Sequence, residues 1–418
     1  MSDIAINVAC EHRPKSQAEG KSAKSTEQSA GSLPVSLSSV PLPSLSAQSR
    51  FWPGAGASTV FILVLLTFVP VISQDFVRDD LDWLAMVRGP ASPRLLGLFY
   101  GNAYRPFVIV YFYVLSHLSP SVFWFHLGSI GLHAANALLV YFVALKWRRS
   151  VPLAVLGALL FSIRAAPSQA VLWICSVGSL FCLLFGALCV LSFRQFLSRN
   201  SNRYFWFALG CYLLALLSRE DGLFIPFLLA GCFLIYVSPQ DWLKRLYLLL
   251  PFFLVDFAFL GHRFLARTGA VAETATTRFP RLLPDTLRSL GNAFLPLDKH
   301  TLSSFSTAWM TRLYVPFLLL LVATMLVFSI RRRVWRHVSR NELLLLSSTV
   351  ILAAGLTLYL GPLEYRYAYP MFLPVSLIFV VVAAKLKGAW KMAWIAGHIT
   401  VVALNFVVIQ SIIAKRLY

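Results

Sequence analysis

The sequence predicts an all-α, polytopic membrane protein of roughly eleven transmembrane helices. Three observations carry that expectation. Of 418 residues, 58% are hydrophobic and only 13% charged, and the mean hydropathy of +0.71 is too high for a soluble chain. Many apolar runs approach or reach the ~20 residues that a helix needs to cross a bilayer. The basic residues behind the formal net charge of +20 fall in short clusters between those runs, as the positive-inside rule requires of cytoplasmic loops. The same clustering argues against a nucleic-acid partner, which calls for a basic stripe on a folded face.

Residues 1–52 are rich in Ser, Ala, Pro and Lys and carry no apolar period, which predicts a disordered cytoplasmic tail rather than a signal peptide. The membrane domain is then 53–418. Basic residues precede the first span, Ser58–Ser73, which places the N-terminus in the cytoplasm and delivers Phe76-Val77-Arg78-Asp79-Asp80-Leu81-Asp82-Trp83 to the far side. Within the first outer loop, 74–122, the apolar run Phe107–Leu118 covers about 18 Å at 1.5 Å per residue, against a hydrocarbon core of about 30 Å. Counting it as a span would also put Lys146-Trp147-Arg148-Arg149 and Arg331-Arg332-Arg333 outside. It is therefore expected to be an interfacial, juxtamembrane helix.

The remaining spans are expected at Phe123–Leu145, Val151–Ile163, Ala170–Phe193, Phe205–Ser218, Leu223–Val237, Leu246–Leu260, Leu313–Ile330, Leu343–Leu360, Met371–Ala384 and Met392–Ile413. This alternation puts every main basic cluster on the cytoplasmic side of a cytoplasmic (inner) membrane, and the C-terminus outside. A second outer loop, 261–312, mixes Arg263, Arg267, Arg278, Arg281 and Arg288 with Phe, Leu and Pro, and reads as a lid.

The acids sort oppositely: past the tail, only Asp241 and Glu342 fall on the cytoplasmic side. Acids contribute little to orientation, so a working site on the extracytoplasmic face is the reading that accounts for them. Four elements there combine opposite charges or a charge with a ring: Arg78-Asp79-Asp80 with Asp82; Tyr104-Arg105-Pro106; Ser218-Arg219-Glu220-Asp221-Gly222; and Glu364-Tyr365-Arg366-Tyr367-Ala368-Tyr369-Pro370. Carboxylates supply bases or ligands for a divalent cation, for which Asp79, Asp80 and Glu220 are the candidates; arginine supplies a planar fork for phosphate.

Inside the spans, His133 and Asn136 share a helix face and read as hydrogen bonders between helices, while His126 lies nearest the outer surface and is the histidine best placed to touch substrate. Asp256 calls for a partner such as Arg263 or for a neutral, hydrogen-bonded state. Cys175, Ser179, Cys182, Gly186 and Cys189 recur on one helical face as a small-residue packing seam.

At these residues the chain resembles the GT-C class of membrane glycosyltransferases, and most of all the transmembrane part of protein O-mannosyltransferase and tetratricopeptide-containing mannosyltransferase relatives. The resemblance rests on Asp79-Asp80 after the first span, Tyr104-Arg105-Pro106, His126 with His133-Ala134-Ala135-Asn136, Gln169-Ala170-Val171-Leu172-Trp173, Arg219-Glu220 and Glu364 to Pro370. It implies a first outer loop carrying an essential Asp, juxtamembrane helices, and a sugar donor carried on a polyprenyl phosphate. Asp79 or Asp80 would then be the base for the acceptor hydroxyl, with Tyr104, Arg105, His126, Arg219, Glu220, Arg366 and Tyr367 around the substrate and the lipid phosphate. The chain departs from these relatives at Arg164-Ala165, where they carry His-Pro, and at Ser176-Val177-Gly178-Ser179, where they carry Gly-Arg-x-Asp. The expected activity is an inverting transfer from the lipid-linked donor to a hydroxyl of a protein, glycan or lipid. Two alternatives stand beside it: a flippase for a lipid-linked sugar, and a catalytically degenerate partner of another membrane glycosyltransferase.

Overall fold

The computed structural model describes residues 51–77, 79–89, 104–119, 121–265, 282–294, 339–360 and 365–415, and every regular element among them is a helix. In chain order these are α1 (Phe51–Phe68), α2 (Asp79–Arg88), α3 (Pro106–Leu118), α4 (Val122–Arg148), α5 (Val151–Ser162), α6 (Ala165–Leu172), α7 (Val177–Arg199) and α8 (Asn202–Ser218). They continue as α9 (Ile225–Tyr236), α10 (Trp242–Arg245), α11 (Leu250–Leu265), α12 (Leu282–Phe294), α13 (Arg340–Leu360), α14 (Tyr369–Lys385) and α15 (Gly388–Lys415).

Four helices are long and apolar enough to cross a bilayer, Pro53–Ser73, Val122–Arg148, Ile174–Arg199 and Gly388–Lys415, which makes this a membrane protein. The expected count of eleven spans is not reached among the described residues, and the breaks have local causes. The run at Ala170 is cut after Leu172 by extended backbone at Trp173, and a 3₁₀ turn, Ile174–Ser176, leads into α7. Glu220–Phe224 and Leu246–Leu249 open as 3₁₀ turns, leaving 12 residues for α9 and 16 for α11. α5 has only 12 residues, about 18 Å of helix. The tail and the expected span Leu313–Ile330 lie outside the described residues. Of the second outer loop the structure describes the end of α11 and α12, which packs along α13 with Ser289 Oγ 2.9 Å from Thr357 Oγ1.

α3 matches the expected short helix. Pro106 sits in its first turn, where its fixed φ suits helix and its missing N–H costs nothing. Its 13 residues bury Val108, Ile109 and Phe112, with Phe112 stacked on Trp83 of α2 at 5.9 Å.

At the bundle centre, α4, α5, α7 and α14 are joined by buried polar groups. The Ser162 carbonyl can only accept, so His133 Nε2–H donates to it at 3.0 Å. Neutral His133 then accepts at Nδ1 from the Tyr369 hydroxyl at 2.8 Å, whose oxygen accepts from Asn136 Nδ2 at 3.2 Å. Asn136 also donates to the Leu180 carbonyl at 3.0 Å. His133 and Asn136 are thus packing hydrogen bonders that fix the start of α14. Asp256 takes the hydrogen-bonded option, accepting from the Tyr212 hydroxyl; the Arg263 side chain lies outside the described residues. Ser179, Cys182, Gly186 and Cys189 are buried along α7, whereas Cys175 belongs to the turn before it.

At the end of the bundle where α4 and α14 finish and α13 begins, Glu342 accepts from Arg148 at 2.5 Å, from Lys385 at 2.7 Å and from the Ser339 N–H at 3.0 Å. Burial alone would raise its carboxyl; Lys385, the Ser339 N–H and Arg148 outweigh burial and hold it below the usual glutamate range. A depressed folded pKa contributes stability above the unfolded value of 4.5 and loses it as pH falls through the folded one. Glu342→Gln is expected to cost about 2 kcal/mol, discounted from a fully buried pair because both cations are partly exposed. Thermal denaturation in detergent should show that deficit between pH 5 and 8, shrinking below about pH 4.

Candidate functional site

The site assembles at the opposite end, where α2, α3 and α7 start and α8 stops. α2 begins at Asp79, so three acids occupy its first turn, where the positive end of the helix favours them. Asp80 is 1% exposed; its Oδ1 accepts from the Cys175 N–H at 2.7 Å and its Oδ2 from the Val77 N–H at 3.3 Å. Burial pushes its carboxyl up to about 6 against the pull of those two donors. Both of its oxygens are therefore engaged in tying α2 to the turn before α7. Asp79, half-buried, instead lines a polar cavity of about 60 Å³.

Around that cavity stand Trp83, Arg105, Ser176, Ser179, Arg219 and Tyr367. Arg105 precedes Pro106 and points its Nε at Glu220 Oε2, 3.0 Å away. Burial works against the Arg105 charge, but Glu220 outweighs it and raises the guanidinium further. Arg219 is 3% exposed. Its Nε lies 3.0 Å from Asp221 Oδ2, its Nη1 donates to Ser179 Oγ, and its guanidinium covers the Tyr367 ring at 5.0 Å. Burial raises the Asp221 carboxyl, with Arg219 pulling the other way.

Two close approaches shape this corner. A Cβ on Gly178 would stand 2.6 Å from the Ser218 carbonyl oxygen, so the start of α7 touches the end of α8 through backbone. A Cβ on Gly222 would stand 2.8 Å from Leu216 Cα, so the Arg219 to Gly222 turn folds tightly onto α8.

Of the sequence-predicted residues, the structure brings Asp79, Arg105, Arg219 and Tyr367 to one cavity, with Glu220 behind Arg105. Tyr104 turns away and packs on α11, 5.8 Å from the Phe259 ring and 5.0 Å from that of His262. His126, expected to be the histidine nearest substrate, is 1% exposed and does not line the cavity. The side chain of Arg366 lies outside the described residues. Among the described residues no three His, Cys, Asp or Glu side chains converge as a metal site. Asp79, Asp80 and Glu220 therefore do not form the cation site considered from sequence, because Asp80 is spent on backbone and Glu220 on Arg105. Sequence reasoning missed Ser179 and the Cys175 N–H. Ser179 fits the small-residue seam of α7 by its spacing alone, and a backbone donor leaves no sequence signal.

Comparison with protein-family models, with curated proteins and with solved structures gives no match. The functional reading rests on the geometry and on the motif resemblance.

The raised Asp80 carboxyl sets a pH dependence. Its proton is held more tightly in the folded state, so Asp80 costs nothing at low pH and destabilises the fold as pH rises from 3.8 through about 6. Relative to wild type, Asp80→Asn is expected to gain about 2 kcal/mol between pH 4 and pH 7. Denaturation of both proteins in detergent across that range checks it.

Proposed function

We propose that the protein is an inverting, GT-C-type glycosyltransferase that moves a sugar from a polyprenyl-phosphate donor to an acceptor hydroxyl. The observation that carries this reading is one half-buried carboxylate, Asp79, facing two guanidiniums, Arg105 and Arg219, across a single cavity at the start of α7. The acceptor oxygen attacks the anomeric carbon from the side opposite the phosphate. Asp79 takes its proton only as that bond forms, since a free hydroxyl is too weak an acid to give it up beforehand. The bond between the anomeric carbon and the phosphate oxygen breaks with its electron pair on the phosphate, and the anomeric centre inverts.

Arg105 and Arg219 are held by Glu220 and Asp221 before any ligand arrives, so they meet the developing negative charge without reorganisation. The start of α7 adds Ser176 and Ser179 to the cavity wall, while the Cys175 N–H just before it is taken by Asp80. Asp80 positions α2 and is not the base. The basic residues Arg148, Arg149, Arg194 and Lys385 at the other end favour a cytoplasmic N-terminus, with the site at the outer face of the cytoplasmic membrane.

Reconstitution with polyprenyl-phosphate sugars and measurement of lipid-phosphate release tests this. Asp79→Asn should lower turnover by about 10²- to 10⁴-fold while leaving donor binding in place. Wild-type turnover in Asp79→Asn removes the base assignment. Donor crossing vesicles with no bond cleaved supports the flippase instead.

A further inference from the structure

A second cavity, of about 120 Å³, runs between α4, α7, α9, α13 and α14. Its wall is almost wholly apolar, built from side chains such as Val143, Val190, Leu345, Leu352 and Leu377. Along α7 it extends from Cys182 to Arg194, about 18 Å at 1.5 Å per residue. A slot this long and this small in volume suits a single hydrocarbon chain.

Its two ends differ in charge. At the end nearer the polar cavity stands Asp221, already paired with Arg219. A carboxylate there opposes an anionic head group. At the other end stand Trp147 and Arg194. The Arg194 guanidinium lies 5.3 Å from the Tyr236 ring, and among the described residues no carboxylate lies within ion-pair distance of it. Tyr236 donates to Asn341, next to Glu342, which Arg148 and Lys385 share. Two cations on one carboxylate, with Arg194 beside them, leave this rim net positive.

We propose that the slot holds one acyl chain of an anionic glycerophospholipid whose phosphate rests on Arg194 at that rim. Chain and head group are recognised by different parts of one site. The apolar wall takes the chain with no demand on hydrogen bonding, and the planar guanidinium takes the phosphate oxygens. Trp147 stands at the level where indoles favour the membrane boundary. The lipid would fill space between five helices and brace the bundle from the end opposite the polar cavity. The proposal stands independently of the sugar-transfer reading.

Full-chain protein, purified and stripped of lipid in detergent, provides the test. Phosphatidylglycerol should raise the melting temperature and survive as a bound adduct in native mass spectrometry, whereas phosphatidylcholine of the same chains should do neither. Arg194→Gln should weaken phosphatidylglycerol by about tenfold, and Arg194→Lys should recover most of it. Ser348→Phe, which places a ring in the slot beside Leu345 and Leu352, should abolish the adduct. Lipid-free melting temperatures close to wild type show that the variants fold; if Arg194→Gln falls short, the comparison of Arg194→Lys with Ser348→Phe decides. Equal protection by the two phospholipids, or by neither, overturns the proposal. So does protection unchanged in both variants. Protection by a polyprenyl phosphate alone, insensitive to residue 194, also overturns it and assigns the slot to the donor.

Discussion

Two ion pairs that share one short turn, one buried and one half-buried, hold the polar end of the molecule together. Arg219, Glu220 and Asp221 follow α8 directly and all are at most 3% exposed. Arg219 pairs with Asp221 within the turn, and Glu220 reaches Arg105 at the start of α3. Desolvating such groups costs several kcal/mol each, and replacing buried pairs with apolar side chains often stabilises a protein. A fold that keeps four charges here maintains them at a cost. What they obtain is a fixed direction for two guanidiniums, Arg219 buried and Arg105 half-buried, which is the property a site for an anion requires.

The surroundings of those pairs depend on contacts far away in sequence. Tyr367 covers Arg219 from the turn before α14, and the start of α14 is fixed by Tyr369 within the His133 and Asn136 network. α2 is fixed by Asp80 on the Cys175 N–H, and the same turn delivers Ser179 to Arg219. Polar groups placed inside an apolar bundle find each other because the alternative is an unsatisfied donor or acceptor without water. The network therefore specifies the site as much as it stabilises the bundle.

Much of this was legible in the sequence, for reasons that also mark where legibility ends. Apolar run length placed α4 and α14 to within three residues and α1 and α15 to within seven, and it found Phe107–Leu118 as the short helix α3. Hydropathy could not see the break at Trp173, because Leu172, Trp173, Ile174 and Val177 are as apolar as any span and the turn is made by backbone. Charge placement picked out Asp79, Arg105 and Arg219, which share the cavity, but could not divide Asp79 from Asp80, whose surroundings differ in which one meets two backbone donors. For a related reason the sequence does not show that Tyr104 packs on α11 or that His126 is buried away from the cavity. Adjacency to Arg105, or to a helix end, does not fix the direction of a side chain.

The segment Ser176-Val177-Gly178-Ser179 is where this chain departs most from the family it resembles, and it lies in the cavity wall rather than at its margin. Two of its residues shape the cavity without charge. Gly178 lets the start of α7 meet the Ser218 carbonyl, which brings Arg219 to the cavity, and Ser179 then holds that guanidinium. Backbone contact and a hydroxyl, rather than charged side chains, therefore make this wall of the cavity of about 60 Å³.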